Sequence, residues 1–328
     1  MLPVAITCYG QCCAKVREEN EMTGQEIADI LSEHMDESRI HPDQPMSAYT
    51  SFRTGGNALC LVEVHNIEEL RRVLTCVRKK FLPYVIIGNG TNTIVEDEGY
   101  NGVIVKLGGD FTKIDVTGYE VSCGGGASLA AAARQAADMW LTGMEFACGI
   151  PGTVGGAIRQ NAGAFGGQMS DIVKRVRALT TAGEEIVLRP HELQFGYRHS
   201  IFCLRKYVVL DAVFELKKGD KNEINGRIEQ YAKERREKQP LDLPNAGCIF
   251  KNPKEGFSAK FIDDAGLGGE HIGGAMVSRK HCGFIVNAGN ATATDIIELM
   301  NRVRDEVYNQ FSVRLEPEIT VLGQRKRY

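Results

Sequence analysis

Alternating apolar and polar positions predict a mixed α/β organisation in the first third of the chain. A capping-box pattern at Thr23–Glu26, followed by periodic apolar residues, predicts one helix over about 23–36. The next predicted elements are a strand at Leu61–Val64, a helix capped by Asn66, and strands at Tyr84–Ile87 and Val103–Leu107. Because strands that alternate with helices are typical of βαβ units, residues 46–115 are predicted to form a first α/β region.

The rest of the chain predicts a sheet-rich second region, 116–220, and an α+β third region, 221–328. In the second region we predict strand Tyr119–Cys123, a helix over 129–140 capped by Ser128, and strands Val173–Leu179, Glu185–Leu188 and Tyr207–Leu216. Their period of about two favours an antiparallel sheet. In the third region we predict a charged helix from about Asn222 to Lys238 that Pro240 stops, strand Cys248–Lys251, helix Ala259–Ala265, strand Gly283–Asn287, a helix capped by Thr294, and strand Arg314–Leu322. Residues 1–45 are predicted to be an appendage with one helix and a polar linker that reaches Pro45.

Composition narrows the class of protein. The net charge of −3 over 328 residues argues against a nucleic-acid-binding protein, whose surface would be basic. No apolar run approaches the length of a membrane span, and the N-terminus lacks the features of a signal peptide. The ten cysteines are therefore expected to be reduced thiols in the cytoplasm. Cys8, Cys12 and Cys13 lie close together, but no second CxxC or nearby His pair completes a zinc site, and no metal is predicted.

The segment Gly143–Gly167, GMEFACGIPGTVGGAIRQNAGAFGG, has eight glycines among 25 residues. Glycine lacks a Cβ and adopts positive φ, so its backbone can press against a ligand and offer N–H groups to an anion. Two more clusters, Gly88–Asn92 and Gly124–Gly126, flank it along the chain. Together they predict a loop around a large, planar, anionic molecule, and a buried small-residue turn is the alternative.

The common nucleotide-binding loops are absent from the sequence. There is no GxxxxGK[ST], and every GxG lacks a glycine or alanine three residues on, so a bound nucleotide needs another architecture. Arg198, at a strand entrance, could form a fork for a carboxylate or only a surface ion pair. Cys248, Lys251 and Asn252 have spacings that could face one ligand. Glu316 and Glu318 could equally be a solvated strand end.

Six segments along the chain carry a resemblance to a known family. They are GNGTN, GIPGTVGGAIRQNAGAFGG, YRHSIF, NAGCIFKNP, KHCGFIVNAGN and LEPEITVLG. Together, from about Ser47 to Gly323, they resemble the UDP-N-acetylenolpyruvoylglucosamine reductase (MurB) family. The resemblance implies an α+β protein with a two-part FAD-binding fold of the vanillyl-alcohol-oxidase (PCMH) type over 46–220 and an α+β substrate domain after it. The short connection after Arg198 resembles the type II subfamily.

The resemblance also implies an activity and the residues that perform it. The activity is NADPH-dependent reduction of UDP-N-acetylglucosamine enolpyruvate to UDP-N-acetylmuramate through FAD, in peptidoglycan precursor synthesis, by a cytoplasmic monomer. Arg198 matches the catalytic arginine, and Glu318 matches a catalytic glutamate that needs a pKa raised by burial. Cys248 stands where most members have a proton-donating serine. A thiol, with an ordinary pKa of roughly 8.5, is the stronger acid but can ionise or oxidise.

Further contacts follow from the glycine clusters and from the resemblance. The expected FAD contacts are Arg53, Thr54, Gly88, Asn89, Gly90, Thr91, Asn92, Gly125, Gly149, Ile150, Pro151, Gly152, Thr153, Gly155, Gly156, Asn161 and Gly163. The expected substrate contacts are Tyr197, Lys238, Lys251, Asn252 and His281, with Lys238 toward the pyrophosphate. Two rival interpretations stay open: a flavin oxidase on the same fold, and a nucleotide-sugar-binding regulator without turnover. Neither has a use for Arg198, Cys248 and Glu318 together.

Overall fold

The computed structural model describes residues 22–323 of the chain. The first region contains α1 (Gly24–Ser32), β1 (Ile40–Pro45), β2 (Asn57–Val64), α2 (Ile67–Lys79), β3 (Tyr84–Ile87), β4 (Thr93–Val95) and β5 (Tyr100–Leu107). Four of its strands form a sheet of order β1-β2-β5-β3, and β2, β5 and β3 are parallel. Asn66 caps α2 by accepting a hydrogen bond from the Glu69 amide. The predicted βαβ arrangement is therefore confirmed.

Residues 22–45 are built into this first region. Thr23 and Glu26 form the predicted capping box, but the helix ends at Ser32 and not near 36. β1 pairs antiparallel with β2, and Ile27 and Leu31 pack in the core under the sheet. The predicted polar linker is therefore wrong for 40–45, where a mostly polar edge strand buries only Ile40. The cluster of Cys8, Cys12 and Cys13 lies outside the described residues, as do 324–328.

The second region is dominated by an antiparallel sheet, as predicted. Its elements are β6 (Ile114–Thr117), β7 (Glu120–Gly124), α3 (Leu129–Asp138), β8 (Leu141–Thr142), α4 (Val154–Gln160), β9 (Gly163–Ala164), β10 (Gly167–Gln168), β11 (Val173–Leu179), β12 (Glu185–Leu188), α5 (Ile201–Leu204), β13 (Val208–Glu215) and β14 (Lys217–Lys218). The sheet has the order β12-β11-β13-β7-β6. Ser128 caps α3 as predicted. The glycine segment is not all loop, because Thr153 caps α4 and Val154 and Ile158 anchor it in the core.

The third region is α+β, with a small sheet of order β15-β18-β17-β16 under a long helix. Its elements are α6 (Lys221–Lys238), β15 (Asn245–Cys248), α7 (Ser258–Asp264), β16 (His271–Ile272), β17 (Ala275–Val277), β18 (Phe284–Asn287), α8 (Ala293–Phe311) and β19 (Thr320–Leu322). Three predictions were wrong in detail. The strand expected at Cys248–Lys251 ends at Cys248, Thr292 and not Thr294 caps α8, and the last strand spans only 320–322.

A strand pair and a helix-packing contact hold the three regions together. β19 pairs in parallel with β4 of the first region, so the end of the chain returns beside the loop that follows β3. α6 packs on the second region, where Ile224 and Ile228 meet Ala137 and Arg227 pairs with Glu145 at 2.7 Å. The predicted divisions at 115 and 220 stay predictions, but these contacts show that the three regions enclose one cleft.

Candidate active site

A cavity of about 760 Å³ occupies this cleft. Its volume lies within the range of roughly 300–1,000 Å³ that is usual for ligand pockets. Many of the residues singled out from the sequence line it: Gly88, Asn89, Gly90, Thr91, Asn92, Gly125, Ile150, Pro151, Gly152, Thr153, Gly155, Gly156, Gly163, Arg198, Cys248 and Glu318. The glycine clusters and the candidate catalytic side chains therefore share one site.

The turn after β3 presents backbone amides to this cavity. No described residue accepts a hydrogen bond from the N–H groups of Gly88 to Asn92. Gly90 has a φ of 62°, and a Cβ there would stand 1.9 Å from the Tyr49 carbonyl oxygen, so the turn requires glycine. Successive free amides form a concave anion site. The turn therefore fits the pyrophosphate of a dinucleotide cofactor.

The three glycine clusters are bonded to one another across the cavity. Thr91 Oγ1 donates to the Pro151 carbonyl at 3.3 Å, which joins the first cluster to the glycine segment. The Gly155 amide donates to the Gly125 carbonyl at 2.8 Å, which joins the same segment to the middle cluster. Hydrogen bonds to backbone carbonyls therefore hold the walls of the cavity together, which preorganises the site before any ligand binds.

Arg198 is held in the cavity by a turn with unusual backbone geometry. Its φ is 52°, a left-handed conformation that is uncommon for residues other than glycine. Gly196 and His199 close the turn with two mutual backbone hydrogen bonds, and buried Asn161 donates to the Gly196 carbonyl at 3.0 Å. The guanidinium Nε then lies 2.8 Å from Glu318 Oε1. Strained backbone that persists because its surroundings enforce it is frequent at functional sites.

Glu318 sits where the third region meets the glycine-rich walls. Its carbonyl oxygen accepts hydrogen bonds from Asn92 Nδ2 at 3.1 Å and from Gln160 Nε2 at 3.4 Å. Burial raises the pKa of its carboxyl above the ordinary value, and the opposing effects of Arg198 and Lys251 are smaller. The predicted raised pKa is therefore supported, and the carboxyl can hold a proton beside a fixed cation.

Cys248 ends β15 and lines the cavity beside this pair. Burial and, to a smaller extent, Glu318 raise the pKa of its thiol, Arg198 and Arg235 lower it, and the net pKa is about 11. At neutral pH the group is therefore a protonated thiol. Burial therefore suppresses the ionisation considered from the sequence, and because the thiolate is the reactive form of cysteine, the thiol should react slowly.

Arg235 is a cavity residue that the sequence analysis missed. Its Nη1 atom is buried and has no hydrogen-bond partner among the described residues, while Nε donates to Gln239 Oε1 at 3.3 Å. Gly149 makes room for it, since a Cβ there would stand 2.8 Å from Arg235 Cδ. Burial lowers the pKa of this guanidinium. In the charged run of α6 nothing distinguishes Arg235 from its exposed neighbour Arg236, so no sequence signal identified it.

Other expected contacts lie outside the cavity lining: Arg53, Thr54, Gly149, Asn161, Tyr197, Lys238, Lys251, Asn252 and His281. Lys238 Nζ pairs with Glu234 at 3.0 Å on the exposed face of α6. Asn252 Oδ1 accepts from the Ser258 amide at 3.1 Å and so fixes the start of α7. Their roles in ligand binding stay predictions.

Several of these outlying residues still support the site. The Tyr197 ring lies under the Arg198 guanidinium at 5.1 Å, and its hydroxyl accepts from the Asn252 amide at 3.2 Å. Lys251 Nζ pairs with Glu316 at 2.6 Å. His281 Nδ1 accepts from the Gly283 amide at 3.2 Å, and burial lowers the pKa of the imidazole. Thr54 Oγ1 is buried and has no hydrogen-bond partner among the described residues. The neighbouring Arg53 has a left-handed backbone conformation, with a φ of 58°.

Comparisons with known proteins agree with this geometry. Residues 58–189 match the family model of an FAD binding domain, and residues 239–322 match that of the UDP-N-acetylenolpyruvoylglucosamine reductase C-terminal domain. The chain is therefore a flavoprotein with an FAD-binding fold followed by a second, α+β domain, as predicted. Within residues 22–323 no helix is long and apolar enough to cross a membrane, and no cluster of metal-ligating side chains is found.

Relatives of known name cover nearly the whole chain. The UDP-N-acetylenolpyruvoylglucosamine reductase of Lachnoclostridium phytofermentans is 43% identical over 310 residues, which are 93% of this chain and 99% of that protein. The Listeria innocua protein of the same name is 44% identical over 288 residues, 88% of this chain and 96% of that protein. The crystal structure of the Thermus caldophilus reductase superimposes with a TM-score of 0.75 at 37% identity, over 84% of this chain and 97% of that one. The chain belongs to the UDP-N-acetylenolpyruvoylglucosamine reductase family.

Proposed function

We propose that the chain reduces UDP-N-acetylglucosamine enolpyruvate to UDP-N-acetylmuramate with NADPH, as a monomeric enzyme of peptidoglycan precursor synthesis in the cytoplasm. The observation that carries the proposal is the cluster of Arg198, Glu318 and Cys248 at one end of a cavity whose walls fit FAD. Bound FAD would carry hydride from NADPH to C3 of the enolpyruvyl group. The names of the relatives support the same reaction.

Arg198 would bind the carboxylate of the enolpyruvyl group. Arrival of hydride at C3 pushes negative charge onto C2 and the carboxylate, and stabilising charge as it develops is usually the largest catalytic effect. The guanidinium now pairs with Glu318 at 2.8 Å, so the substrate carboxylate would share or replace this partner. Because burial raises the pKa of Glu318, its protonated form can donate a hydrogen bond to the same developing charge.

Cys248 would give a proton to C2. The thiol keeps this proton until carbanionic charge arrives, because its pKa is raised to about 11. Arg198 and Arg235 both lower this pKa, so the thiolate left after transfer faces two cations before water restores the proton. Arg235 lines the same cavity and adds positive charge near the thiol.

The outer part of the substrate would be held by Tyr197, Lys238, Lys251, Asn252 and His281. Lys238 would have to exchange its contact with Glu234 for the pyrophosphate, which a largely exposed lysine can do at little cost. Tyr197 already links the Arg198 turn to Asn252, so substrate binding at Asn252 would change the position of the Arg198 side chain.

An assay of NADPH oxidation with and without the enolpyruvyl substrate, run with and without oxygen, tests this function. We expect oxidation that depends on substrate, is stoichiometric with it and does not need oxygen. Oxidation driven by oxygen alone would indicate a flavin oxidase, and tight substrate binding without turnover would indicate a regulator. Arg198→Gln should abolish most turnover, whereas the matched change at exposed Arg177 should not.

The FAD is expected to be non-covalent, with one bound per chain. Acid precipitation should release the yellow colour into the supernatant, because among the described residues that line the cavity there is no histidine, and the cysteine, Cys248, is assigned to proton transfer. Colour that stays with the precipitated protein would contradict this part of the proposal.

A further inference from the structure

The cavity has an end formed by the first region, where charged side chains have no role in the proposed reaction. Glu63, Tyr84, Lys106, Gly108 and Thr112 of the first region line it, together with Lys206 of the second region. Glu63 on β2 and Lys106 on β5 are register neighbours on parallel strands, one residue before each strand ends. In open sheets of this kind, ligands bind beyond the carboxyl ends of the strands.

A chain of contacts places this end away from the catalytic cluster. Asn92, at one end of the amide turn, donates a hydrogen bond to the Glu318 carbonyl oxygen. Gly88, at the other end of the turn, lies so close to Thr153 that a Cβ would contact the Thr153 side chain. Beyond the turn, Gly126 lies against Leu107, since a Cβ on Gly126 would stand 2.2 Å from the Leu107 carbonyl oxygen. Gly108 lies against Glu63 in the same way, since a Cβ there would stand 2.4 Å from Glu63 Oε1. The order is therefore catalytic cluster, amide turn, middle glycines and Glu63.

FAD has a linear order of its own: isoalloxazine, pyrophosphate and adenosine. If the isoalloxazine lies beside Arg198 and the pyrophosphate lies on the amides of Gly88–Asn92, the adenosine must lie at the end formed by Glu63. We propose that Glu63 accepts hydrogen bonds from the ribose hydroxyls of the adenosine half of FAD. This inference rests on the proposed function only in requiring FAD in this cavity.

The chemistry of Glu63 suits this role. Among the described residues that line the cavity, Glu63 and Glu318 are the carboxylates, and Glu318 lies at the opposite end. An ionised carboxylate only accepts hydrogen bonds, and a ribose hydroxyl has one to donate. His65 Nε2 holds Glu63 Oε1 at 2.7 Å, which orients the group and leaves its other oxygen for a ligand.

The cations at this end are already engaged with aromatic rings. Lys106 Nζ lies 5.0 Å from the centre of the Tyr49 ring, and Lys206 Nζ lies 5.9 Å from that of Tyr84. A Cβ at position 108 would stand 2.4 Å from Glu63 Oε1, so Gly108 leaves room for the carboxylate in its present position. The Glu63 side chain lines the cavity and is 41% exposed, so a ligand there can reach its carboxylate.

Titration of apoprotein with FAD and with FMN tests the inference, because FMN has no adenosine. Glu63→Ala should weaken FAD binding by about 10- to 100-fold, the range for a lost hydrogen bond to a charged group. FMN binding should be unchanged. His65→Ala should show a smaller loss that is again specific to FAD, and Glu68→Ala, on the exposed face of α2, should change neither affinity. If FMN binds too weakly to titrate, competition by ADP should weaken in Glu63→Ala by the same factor as FAD binding.

The other outcomes would overturn either the role of Glu63 or the proposed function. Equal losses for FAD and FMN in Glu63→Ala would mean a general disturbance of the fold, and no loss would mean that Glu63 does not touch the cofactor. In both cases wild-type turnover would still stand. Failure of the wild-type protein to bind FAD or to oxidise NADPH with substrate would instead overturn the proposed function.

Discussion

Two arginine–glutamate pairs in this protein have similar geometry and largely buried carboxylates, but the pKa values of the two glutamates shift in opposite directions. Arg198 lies 2.8 Å from Glu318 in the cavity, and Arg227 lies 2.7 Å from Glu145 where α6 packs on the second region. The Glu145 side chain is the less exposed, at 8% against 18% for Glu318. Yet the pKa of Glu145 is lowered and the pKa of Glu318 is raised.

The number of hydrogen-bond donors explains the difference. Burial is the largest influence on both groups and raises both pKa values. Glu145 also accepts from Thr142 Oγ1 and from the Gly143 amide, each at 2.7 Å, and these donors outweigh burial. Among the described residues, only Arg198 donates to the Glu318 carboxylate. A carboxylate with a complete set of hydrogen-bond donors is typical of a structural ion pair. A carboxylate in a cavity with an incomplete set of donors can still accept hydrogen bonds from a ligand.

Glu318→Gln should produce the largest kinetic difference between the Arg198–Glu318 pair and the Arg227–Glu145 pair. Flavin reduction by NADPH should be nearly unchanged, and flavin reoxidation by substrate should slow by about 10³-fold, within the range for one positioned acid or stabiliser. Stopped-flow absorbance of the flavin measures the two half-reactions separately. Glu145→Gln should slow neither. Equal slowing of both half-reactions in Glu318→Gln would place Glu318 with the structural pair.

Cys248 sharpens the comparison, because it lines the same cavity as Arg198 and Glu318. Cys248→Ala should slow reoxidation by about 10²-fold, the lower end of the range for a general acid, since water can enter and protonate C2. Cys248→Ser should keep substantial activity because a hydroxyl remains to donate. Alkylation of the wild-type thiol at neutral pH should be slow, given a pKa of about 11. Wild-type turnover in Cys248→Ala would show that the proton comes from another group.

Local sequence signals predicted the elements that local chemistry controls. Asn66 and Ser128 cap their helices as expected, and the strands Val173–Leu179 and Glu185–Leu188 have the predicted bounds. The mostly polar strand β1 was missed, because pairing with β2 stabilises it and no apolar alternation does. α4 was missed because its glycines disfavour a helix that the core nevertheless holds.

The same distinction holds for the site. Motifs and the family resemblance identified Arg198, Cys248 and Glu318, which the fold brings to one cavity. Arg235 and Glu145 could not be found, because their importance depends on burial against segments distant in sequence. A charged residue in a charged helix has the same local pattern whether it faces solvent or a cavity.

Glu145→Gln should weaken the fold and leave the chemistry intact. The substitution removes a buried acceptor that Arg227, Thr142 and the Gly143 amide share, but Arg227 is 39% exposed and can turn to water, so we expect the free energy of unfolding to fall by about 2 kcal/mol. Urea unfolding at saturating FAD measures it. Glu223→Gln is the matched control, because Glu223 approaches the same arginine only to 4.0 Å on the exposed face of α6. A loss no larger than that of the control would mean that Arg227–Glu145 is not a structural pair.

The smallest expected effect is the pH dependence of stability, which should have opposite signs for the two glutamates. Because the folded pKa of Glu145 is below its ordinary value of 4.5, its stabilisation is present above that pH and is lost as the pH falls through the folded pKa. The folded pKa of Glu318 lies above 4.5, so ionisation of this group costs stability increasingly as the pH rises from 4.5 through its folded pKa.

Urea unfolding of wild type, Glu145→Gln and Glu318→Gln across the acid range tests these signs. The deficit of Glu145→Gln should shrink as the pH falls below 4.5, since the wild-type carboxylate is then also neutral. Glu318→Gln should match wild type in acid and become slightly more stable than wild type as the pH rises. The change should be smaller than the loss in Glu145→Gln, because Arg198 partly compensates the charge in the wild type. If Glu318→Gln instead lost stability as the pH rose, the Arg198–Glu318 pair would be structural, and the incomplete shell of donors would not be the feature that marks the active site.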